Sequence, residues 1–408
     1  MRILIFTENY YAGGMDTFIV NLINEWPSND EFVIVCNHNH PGINVIEKRL
    51  VRPCKIIKHK ILTQREFASI FRKRNITKII WMLFLFLGQQ LLLMYYVIRF
   101  YIQIREISPD FVLISSGSYP GGSTTRAVAL TGLLKQSWGK PIFVYHNDPL
   151  KPNWLTFFQE FLIDYLLENS ISYLVTVSYH TQGQLKNRLA LASSPKKKVI
   201  YNGIEPMNLT GCPEYLIRKE LELSENSFIL LMLATYEPRK GHTFLLQSFK
   251  KVLKAIGEVH LIIAGDGTTD EVGRVRSILD DSGLTTNVHL LGFRNDAFNL
   301  LSQADILVVP SQSYESFGLT IIEAMSQEIP VVATHVGGIP EVLQNGIGGY
   351  TVALDVDLFA DKIIELLKDK SLREKVGKAG LKSFNNRFHA KRMAMEYFTL
   401  CMQIQIDS

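Results

Sequence analysis

Ten short apolar runs of strand length constrain this chain more than any other feature. Five fall in its first half, at Arg2–Phe6, Phe32–Cys36, Phe111–Ile114, Ile142–Tyr145 and Leu174–Val177. Five fall in its second, at Phe228–Ala234, Val259–Ala264, Val288–Leu291, Ile306–Val309 and Val331–Ala333. Helical stretches separate them, such as Thr17–Trp26. Alternation of this kind predicts an α/β fold with parallel sheets covered on both faces, because a parallel neighbour is reached only by a long, usually helical, crossover. Two doubly wound domains fit the count, and 408 residues are enough for two full cores. Turn residues cluster between Tyr201-Asn202-Gly203 and Gly211-Cys212-Pro213. The expected domains are therefore 1–203 and 204–383, with an aromatic, Met-rich closing helix over 384–408.

Charge divides unevenly between the halves. Residues 1–205 hold 23 Lys+Arg against 14 Asp+Glu, while residues 206–408 hold 20 against 25. Residues 48–78 concentrate the excess: eleven basic side chains, from Lys48 through Lys55, Lys58 and Lys60 to Arg72, Lys73, Arg74 and Lys78, face one acid, Glu66. Such a patch attracts phosphate-rich surfaces. Directly after it, Ile79–Ile98 runs for twenty residues without a charge. That length permits a membrane span, but Gly88-Gln89-Gln90 interrupts it and it leads straight toward the strand at Phe111. The expected form is a helix partly buried in its own domain, with Trp81, Phe84, Phe86, Tyr95 and Tyr96 in a lipid interface beside the basic patch. Residues 48–105 are thus the expected contact with an anionic membrane surface. Nucleic acid is not expected as a partner, since no aromatic single-strand platform or recognition motif accompanies the patch. The four cysteines, Cys36, Cys54, Cys212 and Cys401, are far apart and form no C-x-x-C, so a reducing, cytoplasmic setting is expected. The apolar run Ile3–Phe6 is too short for a signal-peptide core.

Ligands of open parallel sheets bind outside the carboxyl ends of the strands, so chemistry is sought there. Gly13 and Gly14 follow the first strand and open a helix, where backbone amides can approach a ligand closely. His146 directly follows Ile142–Tyr145 and is expected to exchange a proton with a bound group near neutral pH. In the second half, Glu237-Pro238-Arg239-Lys240-Gly241-His242 sets two cations at a strand end, suited to a leaving diphosphate. Gly265-Asp266-Gly267 and Gly292-Phe293 are two more strand-end glycine turns. The richest stretch runs from Val308 to Met325: Glu315 lies in a strand-to-helix loop, Phe317-Gly318-Leu319 offer amides at the helix start, and Glu323 sits one to two turns into the helix. Amides and helix dipole suit an anionic phosphate, and the two carboxylates suit sugar and ribose hydroxyls. No metal site is expected: His38 and His40 lack further ligands nearby, and Asp355-Val356-Asp357 reads as a surface loop.

Taken in order, these motifs resemble a retaining glycosyltransferase of family 4. They are Gly13-Gly14, His146, Tyr201-Asn202-Gly203-Ile204, Glu237 to His242, Gly265-Asp266-Gly267, Gly292-Phe293, the Glu315/Glu323 E-x7-E signature and Gly337-Gly338-Ile339-Pro340-Glu341. The resemblance implies the GT-B fold, two facing Rossmann-like domains with a C-terminal helix crossing back to the first. It also implies a sugar moved from an NDP-sugar donor, UDP- or GDP-linked, with retention of configuration and without a metal or other cofactor. By the same resemblance Glu315 contacts the donor sugar, Lys240 and the Phe317-Gly318-Leu319 amides hold the diphosphate, Glu323 takes the ribose, and Gly292-Phe293 backbone borders the base. Gly14 would approach the phosphates and His146 the reacting centre. One departure is Thr235, where the family usually carries an arginine; either Arg239 substitutes for it or activity is weakened. The basic patch and apolar helix point to an enzyme peripheral to the inner face of the membrane, with a lipid-linked saccharide or other envelope glycan as acceptor. A nucleotide-sugar epimerase of similar architecture and a catalytically silent binding subunit are the alternatives.

Overall fold

A computed structural model describes residues 1–10, 13–61, 88–134, 138–152, 154, 157–206 and 217–406. The chain divides into two compact units, Met1–Gly203 with Ala390–Ser408, and Ile204–His389.

In the first unit the order is β1 (Arg2–Thr7), α1 (Gly14–Asn24), β2 (Glu31–Asn37), α2 (Ile43–Arg49), β3 (Cys54–His59), α3 (Gln89–Ile107), β4 (Phe111–Ser118), α4 (Ser123–Leu130), β5 (Ile142–Asn147), α5 (Phe157–Ser170), β6 (Tyr173–Thr176), α6 (Tyr179–Gly183) and β7 (Lys197–Val199). All seven strands pair in parallel, in the order β3-β2-β1-β4-β5-β6-β7. The chain starts mid-sheet, runs outward to β3, then returns past β1 to β4. Right-handed crossovers then put α1 and α2 on one face and α3, α4 and α5 on the other. Strand side chains alternate accordingly: Ile3 and Ile5 pack with Phe18 and Ile23 of α1 and with Trp26 just after it, whereas Leu4 and Phe6 pack with Tyr96, Phe100, Val128, Ile163 and Leu167.

The second unit runs α7 (Ile217–Glu220), β8 (Phe228–Leu233), a 3-10 turn at Pro238–Lys240, α8 (His242–Ile256), β9 (Val259–Ala264), α9 (Thr269–Ser282), β10 (Val288–Gly292), α10 (Ala297–Ser302), β11 (Ile306–Val309), α11 (Leu319–Ser326), β12 (Val331–Thr334), α12 (Ile339–Val342), β13 (Gln344–Asn345), β14 (Gly348–Val352), α13 (Val356–Lys368) and α14 (Lys370–Arg387). Its sheet is likewise seven-stranded and parallel, in the order β10-β9-β8-β11-β12-β14-β13. All ten expected strands are present; β3, β7, β13 and β14 are additional. Asp355, read as surface loop, N-caps α13 by accepting from the amides of Asp357 and Leu358 at 2.8 and 2.9 Å.

The closing helix starts later than expected. Phe384 lies in the last turn of α14, and the chain breaks at Phe388–His389, where the Ile204 amide bonds the Phe388 carbonyl at 2.9 Å and Ile204 bridges His389. The last helix, α15 (Ala390–Ile406), then packs Met393, Tyr397 and Cys401 into the first unit's core beside α1.

Of the apolar run over residues 79–98, the part up to 87 lies outside the described residues, and with it Trp81, Phe84 and Phe86. The rest opens α3. Tyr95 is half-exposed, but Tyr96 is a core residue rather than an interfacial one, since the two are neighbours on a helix and only one can face the sheet. Of the basic patch, Arg65 to Lys78 also lie outside the described residues. Lys55 and Lys58 belong to β3, an edge strand, and their side chains point out of it; charged side chains blunt such an edge. Among the described residues no helix is long and apolar enough to cross a membrane.

Candidate functional site

In the second unit, the ends of β10, β9, β8, β11 and β12 are neighbours along the sheet, so their five loops form one rim. Backbone contacts lace the loops together. The Gly265 amide donates to the Gly292 carbonyl at 2.8 Å, the Tyr236 amide to the Asp266 carbonyl at 2.9 Å, and the Gln312 amide to the Arg239 carbonyl at 2.7 Å. Two glycines make this closeness possible. A Cβ at Gly265 would fall 1.8 Å from the Ala234 carbonyl oxygen; one at Gly241, whose φ is +80°, would fall 1.9 Å from that of Pro310. No side chain fits either place.

Charged groups from two loops converge on Glu315. Lys240 Nζ donates to Glu315 Oε2 at 2.5 Å, Ser311 Oγ donates to the same oxygen at 3.3 Å, and Arg239 Nη1 stands 3.9 Å from it. A third loop fixes the backbone: the Gly338 amide donates to the Glu315 carbonyl at 2.7 Å, and a Cβ on Gly337 would meet that same carbonyl oxygen at 2.2 Å. Arg239 also lies over the Tyr314 ring at 4.8 Å and bonds Glu237 through Nε at 2.7 Å and Nη2 at 3.2 Å. Thr235 Oγ1 donates to Glu237 at 2.8 Å. Burial would raise the Glu237 carboxyl, but the bonds from Arg239 and Thr235 and the nearby cationic charges outweigh it and hold it below its ordinary value. Thus Thr235 supports the carboxylate that orients Arg239.

Gly318, with φ +87°, caps α11, whose first amides have no acceptor within the helix. Phe317 is buried against Phe388, leaving only its backbone to the rim, while Phe293 is largely exposed beside Gly292. Glu323 sits in the second turn of α11, partly exposed. His242 stacks on Tyr236 at 4.8 Å, and burial, with Arg274 and Lys240 nearby, pushes its imidazole down to about 4.

The first unit's expected residues stand at the ends of β1 and β5. Gly13 and Gly14 are exposed at the start of α1, but the Gly13 amide is occupied: Asp16 Oδ2 accepts it at 3.0 Å, and Asp16 in turn returns its own amide to the Gly13 carbonyl at 3.0 Å. Gly14 is the glycine left to approach a ligand. Asp16 is itself buried, reached by Asn9 Nδ2 at 3.3 Å and lying 3.6 Å from His40 Nε2. An acid three residues after a glycine turn is the signal of this cap in the sequence. His146 is the penultimate residue of β5, with Nε2 3.1 Å from Ser115 Oγ and its ring edge-on to Phe18 at 4.7 Å. Burial pushes its imidazole down to about 4. At neutral pH that favours the neutral imidazole, which hydrogen-bonds and can accept a proton. Among the described residues no group of three or more His, Cys, Asp or Glu could hold a metal ion.

Residues 214–383, almost the whole second unit, match the model of the glycosyl transferases group 1 family. Over 272 residues, 66% of this chain and 67% of the relative, the sequence is 29% identical to the N-acetyl-alpha-D-glucosaminyl L-malate synthase of Bacillus anthracis. A glycosyltransferase structure from Rickettsia africae superposes with a TM-score of 0.78 at 18% identity, covering 100% of this chain and 99% of that one. Anabaena HepE in complex with UDP-glucose superposes with a TM-score of 0.74 at 19% identity, covering 99% and 100%.

Proposed function

We propose that this chain, a hexosyltransferase with the GT-B fold, moves a sugar from a nucleoside diphosphate sugar to a lipid-linked or other envelope glycan, with retention and without a metal. One observation carries the reading: Lys240 and Arg239 meet at Glu315 on a rim that ends at the amides of α11. The donor diphosphate takes the place beside Lys240 and Arg239 and the first amides of α11, and the nucleoside lies along Gly265 and Gly292-Phe293, with Glu323 accepting from the ribose hydroxyls. Glu315 then accepts from hydroxyls of the sugar.

The chemistry follows from charge. Breaking the anomeric C–O bond leaves positive character on the sugar and negative charge on the departing diphosphate. Fixed cations and helix-end amides stabilise that charge as it develops, which lowers the barrier directly. The acceptor hydroxyl attacks from the face the diphosphate leaves, and the diphosphate oxygen takes its proton. The basic residues of the first unit support work at the inner face of a membrane.

Two measurements test this. A nucleoside diphosphate and its sugar should raise the melting temperature, since a ligand that binds only the folded state stabilises it. Glu315→Ala should lower kcat on the order of a hundredfold with a smaller change in donor affinity, whereas Glu323→Ala should weaken donor binding on the order of tenfold through lost charge-assisted bonds. The reverse pattern would overturn the roles, and turnover of donor to an epimer with no acceptor present would overturn the transfer itself.

A further inference from the structure

Two apolar stripes face solvent on one side of the first unit. α3, α4 and α5 cover the same face of its sheet, with α4 packed against both others. On α3, Leu91, Met94 and Ile98 are exposed; on α5 and just ahead of it, Trp154, Phe158 and Leu162 are, Trp154 to 83% and Phe158 to 86%. Spacings of three, four and seven residues set the α3 trio on one side of its helix, and Phe158 and Leu162, four residues apart, share a side of α5, with Trp154 ahead of that helix. Isolated exposed apolar residues are ordinary, but two aligned rows containing a tryptophan and a phenylalanine are not.

The charges of α5 sharpen this. Its carboxylates Glu160 and Asp164 are both taken by Arg188, at 2.9 and 3.0 Å, and Glu168 accepts from Ser194 Oγ at 3.1 Å. The helix therefore turns its acids toward neighbouring segments and leaves its outer side uncharged. Around the stripes the margin is basic, with Lys60 and Arg99 exposed near α3.

We propose that this side of the first unit rests on a lipid bilayer, the α5 stripe entering the interfacial region while the basic margin meets anionic headgroups. The inference deepens the membrane-peripheral reading above and rests on it, but extends the apolar contact beyond residues 48–105 to α5. A bilayer suits the face because a fluid, flat surface meets two rows on parallel helices at once and takes aromatic rings without needing a matching shape. Charge argues the same way. Exposed Lys60 ahead of α3, Arg99 on it and Lys151 ahead of α5 draw anionic lipid.

Flotation of the full chain with phosphatidylcholine vesicles containing phosphatidylglycerol tests it, with Phe158→Ser/Leu162→Ser as the variant and Trp154→Ser as a second one outside the helix. Both should lose vesicle affinity, the double variant by on the order of tenfold or more, while the circular-dichroism melting curve stays at the wild-type value and reports intact folding. Should wild type ignore the vesicles, the membrane-peripheral reading falls together with this inference. If wild type floats and both variants float equally well, the α5 assignment alone is wrong. A variant that turns a dimer into a monomer with vesicle binding unchanged would overturn it too, by making the face a contact between copies.

Discussion

The two units share a seven-stranded parallel sheet, yet they finish their strand ends in opposite ways. In the second unit the loops are held by backbone meeting backbone, with Gly265, Gly241 and Gly337 at points where a side chain would collide with a carbonyl. In the first, side chains take a larger part beside backbone bonds such as that from the Leu150 amide to the Tyr119 carbonyl: Asp16 clasps the Gly13 amide, Ser115 meets His146, and Tyr119 donates to Asp164 at 2.9 Å. A rim of backbone contacts allows few residues at each position. One built from side chains can be built in many ways.

The largest expected effect tests that contrast at its most constrained point. Gly241→Ala combines a left-handed backbone with a contact of 1.9 Å and should destabilise the second unit by about 3 kcal/mol or more. The two units can be followed separately, because Trp26, Trp81, Trp138 and Trp154 all lie in the first unit's sequence. Loss of helical circular dichroism at lower denaturant with unchanged tryptophan fluorescence is the expected result. A variant as stable as wild type would show that the rim tolerates side chains after all.

Acid should act on both units through a histidine held neutral in each. His146 and His242 are both pushed from 6.5 down to about 4, each chiefly by burial. A histidine depressed in the folded state contributes stability that is whole above pH 6.5 and is lost as pH falls toward 4, by up to about 3 kcal/mol apiece. His146→Phe should flatten the acid branch seen by tryptophan fluorescence, and His242→Phe the branch seen only by circular dichroism. Equal acid sensitivity in wild type and both variants would assign the loss to other groups.

This contrast also explains which parts were legible in advance. Apolar runs such as Phe228–Leu233 and Val259–Ala264 read as strands because buried parallel strands are apolar on both faces. β3 escaped notice because an edge strand carrying Lys55 and Lys58 has no such run, and β14 because Gly348 and Gly349 open it. The rim motifs stood out since close backbone approach demands glycine at set places. That Lys240 and Arg239 reach Glu315 was not readable from composition or spacing alone, as 75 residues separate Lys240 from Glu315. The Arg188 cluster and the exposed stripe of α5 were not read at all: both depend on which side of a helix faces the sheet, and α5 is apolar on nearly every side, so no periodicity marked its outer face.

The smallest expected effect separates a glycine needed for folding from one kept for a ligand. Gly13 has an extended φ of 169°, open to any residue, and a Cβ there would meet nothing within 4 Å. Gly13→Ala should therefore change stability by no more than about 0.5 kcal/mol, against the large loss at Gly241. Donor affinity is the sharper reading of the same variant. If phosphate oxygens pass close to this backbone, a methyl group stands in their way and affinity falls while the melting curve stays put. If affinity also stays put, the turn serves only to start α1, and Gly14 is left as the first unit's glycine for the donor.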